Sequence, residues 1–304
     1  MLMNDIDELN KKFSVDDTIS FTTGKGDLPF INISTDKAKA SVCLNGGQVV
    51  SYRPINSDQD LMFVSKHAYY QPGKSIKGGA PICWPWFAAN KDDKTLPFHG
   101  FVRNQLWQVL STEVLDNNDV VLTLLFNDTK QSREIWPYNF ELLEKITIGD
   151  RLKIELITKN TGTNVFSISQ AIHTYFSIGD ISQVKVTGLE NNLYLDKVEN
   201  FAEKTQLNEI RIDAEVDRIY QQVEKSLYIK DAAFNREIQI EHDGSSTAVV
   251  WNPWVNISKE SQDLEDDDYK RFICVETANA ADEVIIVPAG EEYILTATYS
   301  IQEK

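Results

Sequence analysis

His173 lies in an alternating run, residues 165–176, at a position where it could transfer protons. If the run forms one strand, successive side chains point to opposite faces. Large apolar residues then share one face, and His173 shares the other with smaller or more polar residues: Ser167, Ser169, Ala171 and Tyr175. Small side chains would leave room for a ligand beside the imidazole. The alternative is a histidine hydrogen-bonded within the core, which strand parity alone slightly favours.

Glu276 is the second candidate, because it interrupts a run, residues 271–277, that otherwise predicts a buried strand. It would share a face with Phe272 and Cys274. A buried carboxylate without a partner is costly, so Glu276 needs a partner or a function. Burial would raise its pKa from the ordinary value of about 4.3 towards the range of a general base. A structural ion pair, or a strand end that reaches water, is the alternative.

Two neighbouring segments, residues 75–87 and 96–107, combine glycine and proline with many aromatic residues. Such segments are too aromatic for a surface loop and too rich in glycine and proline for a regular strand. Lys77, His99 and Arg103 are set among the aromatic residues. An aromatic wall with a few cationic side chains predicts a binding site for a small, polar, anionic ligand. The aromatic residues in question are Trp84, Trp86, Phe87, Phe98 and Trp107.

Asp217 and Trp251 are weaker candidates for ligand contacts. Asp217 begins a short predicted strand, where it could bind a hydroxyl group or form a local ion pair with Arg218; the two interpretations are about equal. Trp251 opens the segment 251–254, which ends another strand with two tryptophans and a turn. Core packing is the alternative for at least one of these indoles.

Other kinds of site have no support in the sequence. There is no glycine-rich nucleotide loop, no serine-hydrolase elbow and no zinc motif, so neither a cofactor nor a metal is expected. The acidic run 263–268 lacks the alternating ligands and central glycine of a calcium loop and is interpreted as a solvated loop. His67 and His242 lie in polar or exposed surroundings and receive no role. Three isolated cysteines predict buried thiols rather than disulfides: Cys43, Cys83 and Cys274.

The elements that must position these residues are mainly strands. Period-two alternation dominates, with strand candidates at residues 120–126, 152–157, 248–251 and 293–299. Residues 4–13 show helical spacing, which permits one short helix near the N-terminus. No linker, repeat or βαβ rhythm divides the chain, so we expect one domain over residues 1–304, built as a large antiparallel β-sandwich.

The net charge limits the classes of partner that the protein is expected to bind. The 304 residues include 30 Lys and Arg against 46 Asp and Glu, a net charge of -16. Such a field repels nucleic acid and anionic membranes, which leaves a small molecule as the expected partner. The N-terminal residues carry acids where a signal peptide needs basic and then apolar residues, so a cytoplasmic location is expected.

Six ordered segments resemble the aldose 1-epimerase superfamily, and within it the hexose-6-phosphate branch, the glucose-6-phosphate 1-epimerases. They span about two hundred residues, and six segments in the family's order are far more specific than any single motif. The segments are KGGAPICWPWF at 77–87, HGFVRN at 99–104, HTYF at 173–176, DRIY at 217–220, VWNPW at 250–254 and YKRFICVETA at 269–278.

The resemblance implies an all-β fold, a galactose mutarotase-like β-supersandwich with few short helices and the sugar on one concave face. It also implies that His173 and Glu276 are the catalytic pair, that Asp217 contacts the sugar, and that Arg103 and residue 77 contact the phosphate. The family usually has Arg at the position where this chain has Lys77. Lysine keeps the charge but loses the planar two-pronged contact, so the substrate preference depends on this position.

The activity implied is interconversion of the α and β anomers of a hexose 6-phosphate, with Glu276 as base at O1 and protonated His173 as acid at O5. A neighbouring carboxylate would help to keep His173 charged near neutral pH. Two alternatives remain: a non-catalytic module that binds sugars or sugar phosphates, and an epimerase for unphosphorylated aldoses. Lys77 and Arg103 are the residues that would distinguish an epimerase for hexose phosphates from one for unphosphorylated aldoses. The resemblance also implies a monomer, since family members are often monomeric.

Overall fold

The computed structural model describes residues 5–303, and strands account for most of the regular structure. The first eleven strands are β1 (Ile19–Thr23), β2 (Pro29–Ser34), β3 (Ala38–Cys43), β4 (Gln48–Pro54), β5 (Ile82–Cys83), β6 (Gln108–Val114), β7 (Val120–Asn127), β8 (Phe140–Ile148), β9 (Leu152–Asn160), β10 (Phe166–Ile168) and β11 (Gln170–Ile172). The others are β12 (Tyr175–Ser177), β13 (Val184–Thr187), β14 (Leu193–Asp196), β15 (Ala202–Thr205), β16 (Val216–Gln221), β17 (Ser226–Asp231), β18 (Arg236–Asp243), β19 (Thr247–Asn252), β20 (Phe272–Asn279), β21 (Ile285–Val287) and β22 (Glu292–Glu303).

Helices are short. The three α-helices are α1 (Ile6–Phe13), α2 (Lys130–Ile135) and α3 (Trp254–Glu260). Single 3₁₀ turns cover Lys25–Asp27, Val102–Asn104, Ile181–Gln183, Lys197–Glu199 and Asp268–Lys270. The predicted helix at 4–13 is confirmed as α1, apart from Asn4, which lies outside the described residues. No helix within residues 5–303 is long and apolar enough to cross a membrane.

Two eight-stranded antiparallel sheets form the body of the molecule. The front sheet has the order β15-β14-β16-β19-β20-β11-β5, with β12 also pairing with β20. The back sheet has the order β13-β17-β18-β22-β9-β8-β7-β6. A four-stranded sheet, β1 to β4, and the pair β10-β21 complete the fold. The predicted antiparallel β-sandwich is therefore confirmed.

One apolar core lies between the two large sheets. Alternate residues of β9, from Leu152 to Leu156, are fully buried on the back-sheet side. Ile172 and Phe176 belong to the same buried cluster from the front-sheet side. Strand parity then directs the intervening residues of the front sheet outwards, to the face on which the site lies.

The run around His173 is not the single strand that its alternation predicts. It is divided into β10, which pairs with β21, and β11 and β12, which both pair with β20. One break falls at Ser169 and the other at His173 and Thr174, where the His173 amide donates to the Pro81 carbonyl at 2.9 Å. The predicted faces are nevertheless correct, since Ile172 and Phe176 lie in the core and His173 does not. The error arose because alternation reports side-chain direction and not pairing partners.

Two other predictions about surroundings need correction. The acidic run 263–268 is not simply solvated, because Leu264 is only 3% exposed and Asp268 is fully buried. Leu264 packs into an apolar cluster with Phe272 and Cys274 of the front sheet. Asp268 accepts a hydrogen bond from the Glu265 amide at 2.8 Å. His242 was expected in polar or exposed surroundings; it is 6% exposed and lies 2.7 Å from the Glu224 carbonyl through Nε2, so its surroundings are polar but not exposed. The three cysteines are free and buried, as predicted.

Candidate active site

A cavity of about 190 Å³ opens on the outer face of the front sheet and gathers the predicted side chains. All seven candidates line it: Lys77, His99, Arg103, His173, Asp217, Trp251 and Glu276. Phe87, Phe98, Tyr175, Lys197 and Val249 complete its walls. A larger groove, about 700 Å³, lies elsewhere and includes His242 and ion-paired side chains such as Lys153 and Glu155. The smaller cavity is the better candidate, because it alone of the two holds a histidine against a carboxylate.

Sheet register explains how distant parts of the chain meet in the cavity. Asp217 on β16 pairs with Trp251 on β19, and Trp251 pairs with Cys274 on β20. Glu276 lies two residues further along β20, on the same face, opposite Val249. The pairing of β11 with β20 then brings His173, the residue after β11, alongside Glu276.

His173 and Glu276 form a buried pair. Nε2 of His173 lies 3.3 Å from Oε1 of Glu276, and the two residues are 7% and 2% exposed. Neither Nδ1 of His173 nor Oε2 of Glu276 has a hydrogen-bond partner within residues 5–303. The pair thus contains two buried polar atoms that the protein leaves unsatisfied, which is uncommon and needs an explanation.

Burial shifts the pKa values of His173 and Glu276 in the directions that favour the neutral form of each side chain. It lowers the pKa of His173 well below 6.5, with Arg103 and Lys77 acting in the same direction. Burial also raises the pKa of Glu276 well above 4.5, assisted by Asp217 and opposed by Lys197 and Arg103. The sequence argument expected a carboxylate to keep His173 charged, whereas burial is the larger influence on its pKa.

With both pKa values shifted in this way, His173 and Glu276 hold one transferable proton between them. A neutral imidazole beside a protonated carboxyl and an imidazolium beside a carboxylate contain the same number of protons. Converting one form into the other needs only a proton transfer across the 3.3 Å contact between His173 and Glu276. The pair therefore holds both an acid and a base at one place, which is what opening a sugar ring requires.

Aromatic rings fix the orientation of His173. Its ring stacks on Tyr175 at 4.9 Å between centroids with a 10° interplanar angle. The Trp251 ring meets it edge-on at 5.9 Å, and the His99 ring at 5.6 Å. A side chain packed on three sides keeps its rotamer, so the imidazole is preorganised for a ligand.

His99 is tied to its loop through Nδ1. This atom accepts a hydrogen bond from the Ala88 amide at 3.0 Å, and the His99 amide donates to the Ala88 carbonyl at 2.8 Å. Nδ1 must be unprotonated to accept, so the neutral ring carries its proton on Nε2. Burial lowers the pKa of His99, as does the neighbouring His173, which keeps the ring neutral. His99 is thus both a loop anchor and a fixed donor beside the cavity.

The cations of the cavity differ in their partners. Nζ of Lys77 lies 3.5 Å from Oδ1 of Asp263, and Nζ of Lys197 lies 2.5 Å from Oδ2 of Asp217. Arg103 donates through Nη2 to the Phe98 carbonyl at 2.8 Å. Within the described chain Arg103 makes no ion pair with a carboxylate, unlike the two lysines.

Sequence reasoning missed Lys197 and Asp263. Lys197 begins a 3₁₀ turn directly after β14, and it reaches Asp217 because β14 pairs with β16. No local pattern marks a lysine that becomes part of a site through the pairing of two strands. Asp263 was overlooked because the acidic run that contains it was taken for a solvated loop.

No metal site accompanies this arrangement. Across residues 5–303 there is no group of three His, Cys, Asp or Glu side chains with the geometry of a metal site. The polar groups of the cavity are instead an acid–base pair, three cations and a carboxylate, which suit a small hydroxylated anion.

Comparison with known proteins places the chain among sugar epimerases. The profile of the family described as Aldose 1-epimerase matches residues 29–300. A protein of Salmonella typhimurium, provisionally named a glucose-6-phosphate 1-epimerase, is 35% identical over 255 residues, which cover 84% of each chain. A protein of Escherichia coli K12 with the same provisional name is 34% identical over 257 residues, 84% of this chain and 85% of that one.

Solved structures agree with this placement. A provisionally named mutarotase from Salmonella typhimurium superposes with a TM-score of 0.89 at 30% identity, covering 98% of this chain and 99% of its own. A galactose mutarotase-related enzyme from Lactobacillus acidophilus has the same fold, with a TM-score of 0.71 at 13% identity over 89% of this chain and 96% of its own. The galactose mutarotase-like fold implied by the sequence is therefore confirmed, and this chain belongs to the aldose 1-epimerase family.

Proposed function

We propose that this epimerase interconverts the α and β anomers of a hexose 6-phosphate, with glucose 6-phosphate as its substrate. The observation that carries the proposal is a buried histidine–carboxylate pair, 3.3 Å apart, in a cavity that also contains an arginine without a carboxylate partner in the described chain. The names of the relatives from Salmonella typhimurium and Escherichia coli support the same substrate.

Ring opening needs a base and an acid at neighbouring oxygens. Glu276 as carboxylate removes the proton from O1, and His173 as imidazolium donates its Nε2 proton to the ring oxygen O5. The C1–O5 bond breaks while the C1–O1 bond becomes a carbonyl, so the pair ends with the same number of protons. Rotation about C1–C2 and the reverse transfers then close the ring as the other anomer.

The reacting form of the pair is the imidazolium–carboxylate form. Polar groups of a substrate bound in the cavity can stabilise it, because hydrogen bonds and charges act strongly in a poorly solvated site. The arrangement of charges is therefore completed by the substrate, while the stacked rings hold the imidazole in place.

Other side chains of the cavity orient the sugar. Asp217 accepts hydrogen bonds from sugar hydroxyl groups, and Nε2 of His99 donates one. Trp251 offers an aromatic surface next to both His173 and Tyr175. Together they hold C1 between the acid and the base, which converts proton transfer into an intramolecular step.

The phosphate is bound by Arg103 and Lys77. An arginine presents two parallel donors to phosphate oxygens, and a lysine contributes a point charge. Arg103 keeps this capacity, because its hydrogen bond to the Phe98 carbonyl uses Nη2 alone.

Replacement of the proposed base tests the mechanism. Catalytic amounts of the protein should accelerate anomer exchange of glucose 6-phosphate, measured by NMR or polarimetry, and Glu276→Gln should remove the acceleration. Removing one acid–base partner costs about 10²–10⁴-fold in rate. Circular dichroism checks that the variant is folded. Undiminished exchange in the folded variant would exclude Glu276 from the reaction.

A second function is favoured by one observation. Lys77 is already paired with Asp263, at 3.5 Å, which suits an unphosphorylated aldose better than a phosphate ester. The rates of enzyme-dependent anomer exchange of glucose 6-phosphate and of glucose distinguish these possibilities.

A further inference from the structure

Asp263 lies beside the cation that the proposed function assigns to phosphate. Its Oδ1 is 3.5 Å from Nζ of Lys77, and the two side chains are only 21% and 23% exposed. A pair this shielded from water interacts more strongly than a pair on an open surface. The Asp263 carboxylate therefore already lies beside the Lys77 ammonium, where the phosphate of a substrate would have to bind.

The charges in the cavity show why this matters. Lys197 is paired with Asp217 and Lys77 with Asp263, which leaves Arg103 as the cavity cation without a carboxylate partner in the described chain. A phosphate monoester carries about 1.5 to 2 negative charges at neutral pH. One arginine does not balance that charge, so the phosphate must also recruit Lys77 in competition with Asp263.

The chain around Asp263 is anchored. Leu264 is buried in an apolar cluster of the front face, and its carbonyl lies 3.3 Å from Nδ1 of His67. The Glu265 amide donates to Asp268 at 2.8 Å. Since the following backbone is fixed, the Asp263 carboxylate cannot retreat with its loop and leaves Lys77 only by side-chain rotation.

We infer that Asp263 is a specificity-determining residue: its carboxylate competes with the substrate's phosphate for Lys77 and so sets how strongly a phosphorylated sugar is preferred over an unphosphorylated one. The inference rests on the proposed function. A lysine suits such competition, because its compact charge on a flexible stem can turn from one anion to another, whereas an arginine would hold Asp263 through a two-pronged contact.

Removing the charge of Asp263 tests the inference. Asp263→Asn should lower KM for glucose 6-phosphate about three- to tenfold, the range expected from one largely shielded like-charge contact. The ratio of kcat/KM for glucose 6-phosphate to that for glucose should rise accordingly. Inorganic phosphate, titrated by calorimetry as a probe that needs no turnover, should bind the variant more tightly than the wild type by a similar factor.

Asp266→Asn is the matched control. Asp266 lies on the same loop and is exposed. Its replacement by Asn changes the net charge by the same amount as Asp263→Asn. This variant should leave both kinetic constants and phosphate binding unchanged. Equal gains in both variants would mean that overall charge, not the contact with Lys77, sets the affinity, and would overturn the inference.

Two other outcomes separate the inference from the proposed function. If Asp263→Asn leaves KM for glucose 6-phosphate unchanged or raises it, Asp263 only positions Lys77, and the inference is wrong while the proposed function stands. If the wild type accelerates exchange of neither sugar, the proposed function itself fails. Phosphate binding by calorimetry then still reports whether Asp263 competes for the cation.

Discussion

In the proposed mechanism Glu276 and His173 work as a unit, because the protein buries both in contact with each other and they share a single proton. Either residue alone, in this degree of burial, would be neutral and poorly suited to its role. Together they exchange a proton without changing the charge of the site, which avoids the cost of a net charge in a poorly solvated cavity.

The shared proton predicts a bell-shaped dependence of kcat/KM on pH. Below the lower pKa of the pair a second proton removes the base, and above the higher pKa loss of the shared proton removes the acid. Anomer exchange of glucose 6-phosphate should therefore fall on both sides of an optimum. A rate that stays constant over the whole range in which the protein is folded would contradict the shared-proton account.

Lys197 should determine the pH range in which kcat/KM is highest. Its positive charge lowers the pKa of Glu276, whereas Asp217 raises it. Lys197→Met should shift both limbs of the profile to higher pH, because the pair loses a neighbouring cation and faces an unneutralised carboxylate. Lys197→Arg keeps the charge and should shift the limbs less.

The double variant Lys197→Met/Asp217→Asn is the matching control. It removes the ion pair as a whole, so the limbs should return towards their wild-type positions even though KM rises from loss of the sugar contact. If the single variant raises KM but leaves the limbs in place, Lys197 acts on the sugar alone.

At the scale of elements, strand parity was the most informative property of the sequence. It separated His173 from the apolar face that lies in the core, and it placed Glu276 on one face with Phe272 and Cys274, because alternation follows directly from the geometry of a strand. The aromatic segments and strand ends supplied the remaining candidates, the family resemblance suggested their roles, and the fold brings all of them to one cavity. Their roles stay predictions until variants are measured.

Long-range pairing is what the sequence left undetermined. Lys197 reaches the site only through the contact of β14 with β16, and the break at His173 separates two strands, β11 and β12, that pair with β20 in one continuous register. Neither fact has a local signature. The pKa of His173 was also misjudged, since its direction depends on burial that parity does not measure.

Strand β8 carries an unusual inward residue that gives a test of stability. Glu144 is fully buried between the sheets, and neither of its carboxyl oxygens has a hydrogen-bond partner in the described chain. It faces Gly47, where an added Cβ would lie 2.6 Å from Oε2, so the acid is closely packed. Burial raises its pKa well above 4.5.

Glu144→Gln should therefore stabilise the protein increasingly as pH rises. The folded wild type retains the proton while the unfolded chain releases it above its ordinary pKa of 4.5, so the wild-type free energy of unfolding falls between that pH and the raised pKa. The glutamine variant escapes this loss, a difference that grows by about 1.4 kcal/mol per pH unit. Urea unfolding at several pH values measures it.

Glu141→Gln provides the comparison on the same strand. Glu141 points to the opposite, half-exposed face of β8. Its replacement should leave the pH dependence of stability close to that of the wild type. A stability difference for Glu144→Gln that does not vary with pH would show that the folded state does not hold the Glu144 proton.

At the scale of the whole molecule, an acidic protein concentrates cations at one cavity. The net charge is -16, yet Lys77, Arg103 and Lys197 converge on the space next to the acid–base pair. Local cations of this kind can select a small anion even when the overall field opposes it, because screening confines the long-range repulsion to about 8 Å at physiological salt.

The most direct measurement compares enzyme-dependent anomer exchange of glucose 6-phosphate and glucose under identical conditions, in the wild type and in Arg103→Gln. We expect kcat/KM of the wild type to favour the phosphate ester by about 10- to 100-fold, the contribution of a charged hydrogen-bonded contact. The arginine variant should lose most of that preference while remaining folded. Equal rates for the two sugars in the wild type would contradict the assignment of a hexose 6-phosphate as the substrate.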